Sequence, residues 1–373
     1  MYSKGIFKNF GWLFGLLLAC SVSIVASIAA KWIGEDLLGF NRSPISDIMM
    51  AIIIGMIIAN TLPLNNTIQI GLKFCATTIL RIGIMFLGIR LSLFGAGKFT
   101  LVALPFVITA IAIGLITVRM LGRSMRLSPQ LTGLIAVGTS ICGATAIVAT
   151  APLIRAKEAE VSYAIACITI FGLVAMFSYP FLAHFLFADQ PVMAGLFLGT
   201  SIHETAQVAG AGLMYQSQYD APLALDIATV TKLVRNLCMI AVIPLVGILY
   251  GQQDQVSQSK SRWSWLGMIP WFIVGFAFMS AIRTIGDLSE TPFGLINLDQ
   301  WNELVILVKS LAENLLLIAM SAVGLTSFFR GMKDIGIRPF MLGLFAALLI
   351  GLVSLGSIFF FAEFLLNLFG IES

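Results

Sequence analysis

"GTSIHETAQVAGAG", Gly199 to Gly212, decides how this chain is read. It sets His203, one of only two histidines, directly before Glu204 in a run of small and hydroxylic residues. A second stretch, "GTSICGATAIVATA" from Gly138 to Ala151, opens with the same four residues 61 positions earlier. The setting is apolar. Of 373 residues, 59% are hydrophobic and 11% charged, and the mean hydropathy is +0.99. That charged share is less than half of what a soluble domain carries. Phe99–Val118, Val161–Ala183, Trp263–Ile282 and Met341–Ala362 contain no charge, and each is near the roughly 20 residues that cross a bilayer core. A large soluble helical protein would need a charged surface that these residues do not supply. The expected fold class is an all-α polytopic membrane protein, one membrane domain over residues 1–373 with the lipid bilayer as its surroundings.

Outward from the two motifs, eleven apolar segments are expected, at about 11–30, 46–62, 70–93, 99–121, 131–152, 160–186, 191–214, 223–249, 263–283, 302–328 and 338–365. Polar linkers are expected at 250–264 and 283–303. The first segment follows Lys4 and Lys8 but precedes "KWIGEDLLGF", which has no small-residue cleavage pattern, so it reads as a retained span. With an inside N-terminus and one crossing per segment, eleven loop Lys and Arg fall inside and seven outside, a modest positive-inside bias. The net charge of +4 comes without a basic tail, so no nucleic acid partner is expected. Cys20, Cys75, Cys142, Cys167 and Cys238 lie in apolar segments without CxxC spacing and read as buried thiols.

The motif segments differ from lipid-facing helices, which would be filled with Leu, Ile and Phe. "AVGTSICGATAIVATAP" and "LGTSIHETAQVAGAG" are crowded with Gly, Ala, Ser and Thr. Close helix packing explains the small residues. It does not explain an ionisable pair, which in a membrane marks a cavity or a path. A Gly-Thr-Ser start can interrupt a helix, freeing backbone groups that only protein or a wet cavity tolerates. Two discontinuous or re-entrant helices are therefore expected, near Gly138–Cys142 and Gly199–Glu204. Two helix starts facing each other would cradle an anion, with Thr or Ser hydroxyls capping the helix or touching the ligand. The expected substrate or ion path is Thr139, Ser140, Cys142, Thr145, Thr200, Ser201, His203, Glu204, Thr205 and Gln207. Aligning the motifs sets Cys142 and Gly143 against His203 and Glu204, so only the second adds titratable chemistry. Glu204 has the best claim to carry a coupling proton. His203 is the alternative carrier, and the two would titrate as a pair.

Basic residues flank these segments. Lys232 and Arg235 in "TVTKLVRN" share a helix face; they read either as snorkelling to the interface or, with Arg81 and Asn236, as a basic flank to the path. Lys309 and Glu313 are four apart and read as a structural ion pair. Enzyme readings are weaker. "HETAQ" begins like HExxH, but Gln207 stands where a second metal histidine belongs. There is no P-loop, no GxSxG and no dinucleotide fingerprint. No catalytic residue, no metal and no cofactor is expected. A fainter similarity relates "LRIGIMFLGIRLSLFG" from Leu80 to "LLIAMSAVGLTSFFRG" from Leu316; they are offset by seven crossings, the pattern of an inverted repeat.

"GTSICGATAIVATAPLI", "GTSIHETAQVAGAG" and "VTKLVRN" resemble those of the bacterial inner-membrane family named for YeiH, over nearly the whole chain. That resemblance implies a multi-pass inner-membrane protein of a family described as sulfate exporters. It also implies a distant kinship with cation–proton antiporters and bile-acid-type symporters, hence inverted repeats and crossed broken helices. The residues matching the motifs are Gly138–Ala144, Gly199–Gln207 and Lys232–Asn236. The Asp–Asp or Asn–Asp pair of cation antiporters is missing from this region, which argues against that mechanism. The function expected is secondary transport of a small anion, such as sulfate or a related sulfur oxyanion, coupled to H+ or Na+. A passive anion channel and a receptor or assembly protein without transport are the alternatives, and a homodimer is an open expectation.

Overall fold

The computed structural model describes residues 3–37, 46–250, 270–289, 291–327 and 336–371. These form helices and turns, with no strand among the described residues. The helices, in chain order, are α1 Ser3–Lys31, α2 Asp47–Thr61, α3 Asn66–Phe74, α4 Leu80–Leu87, α5 Leu93–Ser124, α6 Pro129–Ser140, α7 Ala144–Thr150, α8 Glu158–Phe187, α9 Pro191–Ser201, α10 Thr205–Tyr219, α11 Pro222–Leu237, α12 Met239–Tyr250, α13 Trp271–Gly286, α14 Leu298–Leu325 and α15 Ile337–Phe369. A π-helical turn at Cys75–Ile79 joins α3 to α4, and a 3-10 turn carries α4 on to Arg90. Seven stretches among the described residues are long and apolar enough to cross a membrane. The chain is an all-α, multi-pass membrane protein.

Helix starts follow local chemistry. Pro129 opens α6 behind Ser128, whose Oγ accepts the Leu131 N–H at 3.2 Å. Asn297 and Gln300 cap α14 reciprocally, each side chain accepting the other's backbone N–H at 2.8 and 3.2 Å. At the preceding end, Arg283 pairs with Asp287 at 2.6 Å, and α13 continues to Gly286. The expected linker 283–303 is therefore shorter than the sequence indicates. The other expected linker, 250–264, lies outside the described residues beyond Tyr250, as does the start of the ninth segment.

The chain divides into two compact units. Unit one comprises residues 1–95, 213–222 and 272–331. Its helices meet through glycines: a Cβ on Gly71 of α3 would lie 2.0 Å from the Trp12 carbonyl oxygen, and one on Gly324 of α14 would lie 2.5 Å from that of Ile52 in α2. Such close backbone approach is how helices pack where lipid removes the hydrophobic drive between them. Ala19, Leu72, Ala322 and Leu325 fill the space between these helices. The two faintly similar stretches pack together, Gly83 of α4 against Leu316 of α14.

Unit two comprises residues 96–212, 223–271 and 332–373. Its interior is made of whole helices. α6 is buried from Leu131 to Ser140, α9 from Val192 to Ser201 and α11 from Ala224 to Asn236. α6 and α9 are apolar or small on every side, as a helix with no solvent face is, whereas α11 buries charge. Gly195 and Gly199 bring α9 onto α11; a Cβ on Gly199 would lie 2.6 Å from Thr231 Cβ. α15 packs against α8 through Gly343, beside Phe171 and Cys167, and Gly351, beside the Tyr179 hydroxyl. The expected fifth and seventh segments are each interrupted, as α6–α7 and α9–α10. The eighth is interrupted too, by a turn at Cys238 between α11 and α12, which the sequence reading did not anticipate. Cys75, Cys142 and Cys167 are buried thiols, whereas Cys20 and Cys238 are partly exposed.

Candidate functional site: two interrupted helices and two buried cations

α6 stops at Ser140 because Ile141 turns out of the helix, at φ −122° and ψ −93°. Gly143 then takes φ +72° and ψ −130° before α7 begins, a conformation only glycine adopts freely. The second break is simpler: Ile202 is extended, at φ −82° and ψ 140°, after Ser201. Each break strands carbonyls at the end of the first half-helix.

Those carbonyls are met by α11. Lys232 and Arg235 are both 0% exposed. Lys232 Nζ donates to the carbonyls of Ile141 and Ile202, each at 2.9 Å, and to that of His203. Arg235 Nε donates to Ser140 O at 2.8 Å, and Nη1 to Thr200 O and Ile202 O at 2.7 and 3.0 Å. Nη2 donates to the Thr139 carbonyl. Each cation thus binds both breaks. The C-terminal end of a helix carries about half a negative charge, and two such ends converge on this pair. One reading is corrected: Lys232 and Arg235 do not snorkel to an interface but lie buried inside the crossing, because Gly195 and Gly199 admit α11 against α9. The ends of α6 and α9 face these cations.

The hydroxyls are mostly turned inward on their own helices. Thr139 Oγ1 donates to Ile135 O at 2.8 Å, Thr200 Oγ1 to Leu196 O at 2.7 Å and Ser201 Oγ to Phe197 O at 2.5 Å. This back-bonding satisfies a hydroxyl in an apolar helix, so these three do not cap the second half-helices as expected. Ser140 Oγ is buried without a partner among the described residues and packs against Gly114 of α5. Thr145 is exposed on α7.

Around Glu204 the structure assembles a second set of contacts. Its carboxylate, half-buried, accepts the Thr169 hydroxyl of α8 at 3.4 Å. Gln207 Oε1 accepts the Glu204 N–H at 3.2 Å while its Nε2 donates to Thr169 O at 3.2 Å. Gly172 leaves the space for that amide, since a Cβ there would lie 2.0 Å from Gln207 Oε1. His203 is buried, and neither ring nitrogen has a hydrogen-bond partner among the described residues. Asn236 Nδ2 donates to Thr205 Oγ1 at 3.1 Å. Cys142 Sγ lies 3.0 Å from Met239 Sδ.

The remaining candidates are in unit one. Arg81 lies over the Phe272 ring, 5.8 Å from its centroid. Glu313 does not take Lys309 as its ion-pair partner. It pairs across helices with Arg90 at 2.8 Å, and Gln216 Nε2 donates to the same oxygen at 2.8 Å. Thr169, Gly172 and Met239 were missed from sequence. Gly143 carried a signal: it is the residue aligned with Glu204 in the two motifs, and its missing side chain is where Glu204 Cγ sits, 2.4 Å from the place of a Cβ.

Residues 14–343 match the profile of the family described as Conserved hypothetical protein 698. A UPF0324 membrane protein of Oceanobacillus iheyensis is 35% identical over 341 residues, covering 90% of this chain and 92% of its own. Another, from Agrobacterium fabrum, is 32% identical over 354 residues, 92% of each chain. One from Haemophilus influenzae is 33% identical over 341 residues, 88% of this chain and 91% of its own. No solved structure matches.

Proposed function

The chain belongs to the family described as Conserved hypothetical protein 698, and on that premise we propose that it is a secondary active transporter of a small anion, coupled to a proton or sodium gradient, in the bacterial inner membrane. One observation carries the reading. Two interrupted helices meet on two fully buried cations, with Glu204 as the carboxylate at the crossing. Burying charge inside a membrane protein is costly, and where it occurs it marks an ion or substrate path. Interrupted helices are how transporters build sites at the bilayer midplane. The positive excess favours an anion over a cation. Sulfate and related sulfur oxyanions head the candidates through the resemblance in the motifs. Inverted repeats belong to the same proposal.

Reconstitution tests it. Radiolabelled sulfate, sulfite and small carboxylates are offered to proteoliposomes under imposed proton and sodium gradients. The expected result is flux of at least one of them that follows a gradient. No gradient-dependent flux across the panel sinks the proposal, and a large current that persists without coupling makes the protein a channel. With flux in hand, Glu204→Gln is expected to lose the pH dependence of transport, whereas His203→Gln lowers the rate and keeps part of it. An unchanged pH profile in Glu204→Gln assigns the proton to another group.

A further inference from the structure

The Lys232–Arg235 centre has little donor capacity left for a substrate. Lys232 gives its hydrogens to the Ile141, Ile202 and His203 carbonyls, and Arg235 binds those of Thr139, Ser140, Thr200 and Ile202. Lysine has three donors and arginine five. Carbonyls oppose a cation only as dipoles. Glu204 follows directly on the His203 carbonyl that Lys232 binds, and brings a carboxylate to the second break.

That carboxylate is lightly held. Its hydrogen-bond partner among the described residues is the Thr169 hydroxyl at 3.4 Å, beyond the usual range of an O–H···O bond. Its Cγ occupies the space that Gly143 leaves free. Glu204 is half-buried, whereas Lys232, Arg235 and His203 beside it are at most 1% exposed. Next to it both His203 ring nitrogens and Asn236 Oδ1 are buried without partners among the described residues. An imidazole N–H is a donor an oxyanion can use, and the amide oxygen an acceptor for its hydrating water.

We propose that the Glu204 carboxylate is the resident anion of the Lys232–Arg235 centre, and that a small oxyanion takes its place only as Glu204 accepts a proton. This rests on the anion-transport reading of the same site and adds a rule of exclusion: one negative charge occupies the centre at a time. Two anions in one poorly solvated site repel, and the titratable one neutralises. The step is a proton transfer from solvent to a Glu204 carboxylate oxygen, with no change of oxidation state. The charged and titratable groups that act on Glu204 are Lys232 on α11 and Cys142 in the other break; His203 precedes it in its own break, Arg235 shares the Ile202 carbonyl with Lys232, and α8 contributes the neutral Thr169.

Equilibrium binding to the whole protein in detergent, with no gradient present, tests this. Sulfate and nitrate serve as probes because neither titrates near neutral pH. In weakly buffered solution the wild type is expected to take up about one proton per anion bound. Its affinity is then expected to fall about tenfold per pH unit where Glu204 is ionised. Glu204→Gln is expected to bind with no proton uptake and a flat pH profile, and Glu204→Asp to keep the uptake. Anion binding by the wild type without proton uptake, binding of neither probe, or undiminished uptake in Glu204→Gln overturns the inference. Should Glu204→Gln fail to fold, the wild-type titration decides alone. Gradient-driven flux combined with proton-free binding overturns the resident-anion inference and leaves transport standing. One-proton binding with no flux does the reverse.

Discussion

Lys232 and Arg235 together hold the carbonyls of two interrupted helices, and each touches both breaks. Removing either strands polar groups in a place that water reaches poorly, at about 1–3 kcal/mol for each one left unsatisfied. Lys232→Met is therefore expected to lower the thermal unfolding midpoint in detergent. Arg235→Lys is expected to lower it too, because one ammonium cannot reproduce the fork that spans four carbonyls. Unchanged midpoints in both would mean that the carbonyls find other partners. Gly172 and Gln207 make a second residue-scale case. Gly172→Ala places a methyl where Gln207 Oε1 lies, and overpacking of this kind costs about 1–3 kcal/mol. Gln207→Ala should remove most of that clash, so the double variant is expected to lose less stability than the two single losses combined; strict additivity would refute the contact. The sequence marked Lys232, Arg235 and Gln207 as polar residues in apolar surroundings. It did not mark Gly172 or Thr169, since a glycine and a threonine in a long apolar helix look like packing.

At the scale of elements, interruption is a backbone event with a legible cause. Gly-Thr-Ser followed by small side chains predicts it in both motif segments, and α6 and α9 end at Ser140 and Ser201. The two breaks are not equivalent. Gly143 sits at φ +72°, and Ile202 stays in an ordinary extended conformation. Gly143→Ala is accordingly expected to cost about 1–3 kcal/mol in backbone strain, and also to push Glu204 from its place and change the pH profile of transport. Gly97→Ala in α5 is the contrast. A Cβ there meets nothing within 4 Å, so the variant is expected to match or exceed the wild type by up to about 1 kcal/mol. Thermal unfolding of both checks the pair, and equal losses would refute the distinction. The Cys238 interruption had no glycine or proline to announce it.

For the whole molecule, the described helices fall in the order of the expected segments, three of which are interrupted, and the start of the ninth lies outside the described residues. If each crosses once, the N- and C-termini face opposite sides of the membrane, with the N-terminus inside by the basic-residue bias. Reporters fused at Met1 and Ser373 are expected to give opposite sidedness. The same side at both ends would make one interrupted segment re-entrant.

Composition, charge and spacing alone determined the membrane class, the approximate spans and the position of the two breaks. The reason is local: an uncharged run of bilayer length has few other homes, and glycine beside hydroxyl residues weakens a helix wherever it lies. Tertiary structure decided the partners. Lys232 and the Ile141 carbonyl are 91 positions apart, and Arg90 and Glu313 are 223 apart. Helical periodicity tells which residues share a face; it does not tell which helix that face meets. For the same reason Lys309 looked like the partner of Glu313, and the cations of α11 could be read as snorkelling to an interface, until packing set Arg90 beside one and the broken ends of α6 and α9 around the other.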